Sequence, residues 1–153
     1  MPGVRTRMKL LVLLLAVGCS NRHGNPIELL GETIAPPAPF DTLKLGMTVA
    51  EAKAALPELT GELTDVGSAE LVVDKVPVKV VFDHSQLTAV MMELDRPSFE
   101  AELVKRWGPS KTRAPGIVEW SGPTWRAIHS CTPDKTRCGV DFKRPSAGDP
   151  ARP

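Results

Sequence analysis

The chain has 153 residues, room for one domain with tails, and its 42% hydrophobic content permits a packed core. Aromatic residues make up only 5%, with no tyrosine, so aliphatic side chains must fill most of that core. The formal charge of +1 turns slightly negative once a basic N-terminal leader is removed, which excludes a nucleic-acid footprint.

That leader occupies residues 1–18. Arg5, Arg7 and Lys9 precede an apolar run from Leu10 to Val17, and small Gly18 follows. The run is shorter than the roughly 20 apolar residues a spanning helix needs, so it reads as a secretory signal. Its end, Leu15-Ala16-Val17-Gly18-Cys19, resembles the lipobox of bacterial lipoproteins. The resemblance implies cleavage before Cys19, lipid on its sulfur and new amino terminus, and a membrane as partner. Several acyl chains would anchor firmly, since each buried methylene contributes about 0.8 kcal/mol. Ser20 at the next position resembles the outer-membrane sorting pattern, so the expected address is the bacterial envelope, on the outer membrane facing the periplasm.

Residues 19–40 read as a tether. Pro36, Pro37 and Pro39 favour extended polyproline geometry and forbid a regular helix. The apolar island Ile27–Leu30 could dock on the domain or on a partner, but reads first as a few sticky residues within the tether.

The stretch Leu43–Leu59 predicts one short amphipathic helix. Gly46 supplies a corner, and Thr48 and Glu51 have the spacing of a capping box. Val49, Ala52, Ala55 and Leu56 share one face, and Pro57 ends the run. So short a helix must dock on something, and three strand-like runs follow it: Ala69–Asp74, Val76–Asp83 and Leu87–Leu94. Polar turns at Asp74-Lys75 and Asp83-His84-Ser85-Gln86 separate them.

The same order then recurs. Phe99, Leu103 and Trp107 stand four apart on a second helix that Gly108-Pro109 stops. Strands are predicted at Ile117–Ser121, Thr124–Ser130 and Gly139–Lys143. The fold class is α+β: an antiparallel sheet with short helices on one face, spanning residues 41–144. Element order suggests a tandem of α-β-β-β units at about 41–95 and 96–144, with a tail at 145–153.

The opening Gly46–Leu56, GMTVAEAKAAL, resembles the Gly-Met-Thr-x-x-Glu start of SmpA/OmlA-type bacterial lipoprotein domains. The small lipoprotein subunit of the outer-membrane β-barrel assembly machine belongs there, and the β-lactamase inhibitory proteins share a similar unit in tandem. Both groups are binding proteins without catalytic residues, and that is what the resemblance implies.

Cys131 and Cys138 flank six residues between two predicted strands, which in an exported chain reads as a disulfide. The alternative is a redox or metal pair with His129 as a third ligand, although the spacing matches neither a Cys-x-x-Cys redox site nor common zinc fingers. His84 falls in a turn and His23 in the tether. No phosphate loop, nucleophile elbow or paired-carboxylate constellation is present. Trp107 lies on the helical stripe and reads as core. Trp125 with Arg126 is the candidate contact region, because tryptophan and arginine dominate binding hot spots. The expected function is therefore a non-enzymatic, membrane-anchored lipoprotein that binds a protein partner as an envelope-assembly accessory module, with no cofactor. The alternatives are a periplasm-facing carrier of small molecules or lipid, and, last, a thiol-dependent enzyme.

Overall fold

The computed structural model describes residues 24–60, 63 and 66–146. Seven strands form one antiparallel sheet: β1 (Gly67–Val73), β2 (Val76–Asp83), β3 (Gln86–Leu94), β4 (Lys111–Ala114), β5 (Ile117–Ser121), β6 (Arg126–Cys131) and β7 (Cys138–Lys143). Their spatial order is β1-β2-β3-β7-β6-β5-β4. Among the described residues three short α-helices accompany them, α1 (Pro26–Leu29), α2 (Val49–Ala55) and α3 (Glu100–Trp107), with a 3-10 turn at Phe40–Thr42. No helix among the described residues is long and apolar enough to cross a membrane.

Alternation along the strands decides which sheet face is covered. In β2, Val76, Val78, Val80 and Phe82 are fully buried, while Lys79 and Asp83 are exposed. The register carries the same face across the sheet, so Val80, Val90, Phe142, Ala127 and Trp120 form one buried row. Val78, Met92, Val140, His129 and Val118 form the next. Leu56, which caps the end of α2, and Phe99 and Leu103 at α3 are buried in the same core. Edge contacts from Trp107 to Trp120 and Phe142 extend it at the helix end.

The capping box at α2 forms as its spacing predicts. Thr48 Oγ1 accepts from the Glu51 amide at 3.3 Å, and the Glu51 carboxylate accepts from the Thr48 amide at 2.8 Å. Those bonds, backbone first, hold the Glu51 carboxyl below its usual range. The Gly46 amide donates to Leu87 O at 2.9 Å and the Leu87 amide to Met47 O at 2.7 Å. The corner before α2 is thus stitched to β3. Both β1–β2 and β2–β3 are two-residue hairpins, with positive φ at Asp74, Lys75, His84 and Ser85. That is the backbone sense that matches the right-handed twist of flanking strands.

Two expectations change. The proline-rich stretch does not behave as a tether from Gly24 onward. Pro26, Leu30, Pro36, Pro37 and Phe40 are buried, and the segment runs over α3 as a strap. Arg106 Nη1 donates to Leu30 O at 2.6 Å, and Trp107 Nε1 to Gly31 O at 3.1 Å. Gly122 admits the strap to the β5–β6 turn, since a Cβ there would stand 3.0 Å from that of Ile34. The second half also holds four strands rather than three, because β4 pairs with β5 at the sheet edge. Residues 1–23, with the leader and Cys19, and 147–153 of the tail lie outside the described residues.

Candidate functional site

The face of the sheet opposite α2 and α3 carries no described helix, and its residues follow from the same register. One row runs Glu70, Lys79, Met91, Asp141, Ile128, Glu119 and Lys111 across all seven strands. It mixes both charges with two apolar residues near its middle. Around Met91 and Glu93 lie two adjoining hollows of ≈ 240 and ≈ 220 Å³, which share Arg137 on their rims. Arg137 pairs with Glu93 at 3.1 Å and Asp95 at 3.0 Å. Val72 on the outermost strand is 66% exposed.

Two features of this face depart from a plain solvated surface. Glu119 points to the open side yet its side chain is only 1% exposed. Arg113 Nη2 and Nε donate to its two oxygens at 2.6 and 3.0 Å, and Arg126 Nη1 adds a bond at 3.3 Å. Arg126 Nη1 also donates to Ser146 Oγ at 2.8 Å, drawing the chain after β7 onto the cluster. The second feature is Asp141, whose carboxyl is raised above its usual range by burial, against the pull of Lys143 at 3.2 Å. A raised carboxyl means that the folded state keeps its proton to higher pH than the unfolded chain does. Stability from this group therefore falls as pH rises through that window, and charged Asp141 opposes folding near neutrality. Asp141→Asn is expected to be more stable than wild type at about pH 7, and the gain should vanish below about pH 4, where unfolded aspartates also hold their protons. Denaturant unfolding at both pH values checks this; a loss of stability at pH 7 would count against it.

The sequence-predicted residues distribute unevenly. Arg126 belongs to this face, as part of the Glu119 cluster. Trp125 does not serve as a surface anchor: it is 6% exposed and packs in the core, because the β5–β6 turn folds back beneath the strap. Cys131 and Cys138 form the disulfide, directly opposite each other on β6 and β7 with a Cα separation of 4.0 Å. His129, two residues before Cys131, faces the covered side and is 2% exposed. Burial first, and Arg96 second, hold its imidazole below the ordinary value. Glu119 and Asp141 were not singled out in the sequence. Each is a lone acid in a short strand, and only the unexpected β4, which brings Arg113 beside Glu119, marks the first.

Comparison with known protein families, with curated proteins and with solved structures gave no match.

Proposed function

We propose that the protein is a non-enzymatic lipoprotein of the bacterial envelope, anchored through Cys19, whose open sheet face binds another protein as an accessory to envelope assembly. The observation that carries this reading is the asymmetry of the sheet. One face is packed by α2, α3 and the strap, while the other presents mixed charge, Met91, Ile128 and an exposed Val72 at the edge. Such a surface suits a moderately polar protein interface, with apolar residues at its centre and charges around them. The buried carboxylate of Glu119 and the half-buried one of Asp141 add support, since a face kept only for solubility has no use for desolvated acids.

Two sequence features agree with this. The leader and lipobox supply export and anchorage, and Gly46–Leu56 resembles the start of envelope lipoprotein domains that act by binding. We read the two halves as a tandem of one α-β-β-β unit. From its two ends the sheet runs β1-β2-β3 and, inside the extra β4, β5-β6-β7, and the halves meet at the β3–β7 pair.

Two variants test the reading. Cys19→Ser should lose its acyl mass and move to soluble fractions; unchanged membrane retention removes the anchor. Lys79→Glu combined with Met91→Asp should lose a protein that the wild type captures from native membranes. If the same protein is captured equally well by both, the open face is not the binding surface.

A further inference from the structure

We infer that His129, Cys131 and Cys138 form a zinc site when the disulfide is reduced, so that one cluster alternates between a bridge and a metal centre. The two sulfurs and one imidazole nitrogen lie within 4.8 Å of one another. Two thiolates and an imidazole, with the fourth position left to water, are an established ligand set for an open zinc site. The strands bring these residues together: Cys131 is two places beyond His129 on the same face of β6, and Cys138 is the cross-strand partner of Cys131.

The framework needed for a metal does not depend on the bridge. The Thr132 amide donates to Arg137 O at 2.8 Å, the Arg137 amide to Thr132 Oγ1 at 3.2 Å, and the Thr136 amide to the Asp134 carboxylate at 3.2 Å. These bonds close the β6–β7 loop and hold the cysteines opposite each other after the sulfurs part. Two thiolates about 2.3 Å from a tetrahedral zinc stand roughly 3.8 Å apart, a small opening from the bonded pair. His129 is already suited to be a ligand. Its Nε2 accepts only a long 3.4 Å bond from the Phe99 amide, and the Phe99 ring packs edge-on at 4.7 Å.

Access comes from a cleft of ≈ 690 Å³ that includes His129 and Cys131 in its walls, with Ser98, Glu100 and Ile117 around them. An open fourth position on the metal would face this cleft. The redox step balances with a dithiol as reductant: it transfers two electrons and two protons to the bridge and leaves as its own disulfide. Cys131 and Cys138 become thiols, and zinc then displaces both thiol protons to solvent.

The test is zinc titration of the full chain against a chromophoric chelator, oxidised and then reduced with the reductant removed without air. The reduced wild type should bind one zinc per chain and the oxidised protein none. His129→Gln should weaken zinc binding at least about tenfold, and Cys138→Ser should weaken it further. Cobalt substitution should give the visible bands of a tetrahedral thiolate site. Nitrogen NMR of wild-type His129 should shift when zinc is added, a readout that needs no variant and holds even if His129→Gln fails to fold. Absence of zinc binding by the reduced wild type, or a His129 signal that zinc leaves unmoved, overturns the assignment.

Discussion

Phe40→Ala is expected to destabilise the domain by about 3–5 kcal/mol, the range for truncating a buried phenylalanine with a cavity left behind. Phe40 is fully buried at the end of the strap, within the same core as Leu43, Leu56 and Phe99. Its amide donates to Pro37 O at 2.8 Å, and the Leu43 amide donates back to Phe40 O at 3.0 Å, so the ring is delivered by an ordered turn. A residue in a true tether would have no such environment. Asp41→Ala, one place along and exposed, should stay within about 0.5 kcal/mol of wild type. Denaturant unfolding of the chain freed of its leader measures both. Should the two variants prove equally mild, the strap is not part of the folded unit and the domain begins near Leu43.

The contrast between Phe40 and the strands explains what the sequence reveals. Alternation in VPVKVVFD needs only the two-residue period of a pleated strand, and β2 spans the predicted residues. Thr48 and Glu51 are likewise a local signal, since both capping bonds lie within one turn. The strap has no period. Its burial arises from contacts distant in sequence: Leu30 and Gly31 accept bonds from Arg106 and Trp107, 76 positions away. Strand β4 is silent for another reason. Lys-Thr-Arg-Ala has no apolar alternation because it is an edge strand with little to bury, and a register shift between Thr112 and Ala114 blunts it further. Missing β4 also hides the Glu119 cluster. Trp125 is misread because hot-spot composition says nothing about burial, whereas the pairing of Cys131 with Cys138 is legible from hairpin spacing in a chain that reads as exported. The approach of His129 to that pair follows from strand register.

The second large effect is expected at Glu119. Glu119→Ala should cost about 2–3 kcal/mol. Removing one partner of a buried ion pair typically costs 3–5 kcal/mol, because it strands the opposite charge. The lower figure applies here because the arginines are not sealed in: their side chains are 35% and 26% exposed for Arg113 and Arg126, and water can reach part of each guanidinium. Glu119→Gln keeps the shape and one acceptor oxygen but loses the charge that strengthens three hydrogen bonds, so it should cost less than the alanine variant. Added salt should change the wild-type stability little through this cluster, since a 1%-exposed carboxylate is poorly screened. The triple variant Arg113→Met, Glu119→Leu, Arg126→Met should recover much of the loss, because no desolvated charge then remains unpaired. The recovered protein separates stability from binding: it folds, yet the open face has lost the arginine held by Glu119 and Ser146. If the face binds a protein, this variant should fail to capture the partner that the wild type retains. Full stability of Glu119→Ala, within about 0.5 kcal/mol of wild type, would show instead that the arginines need no counter-charge.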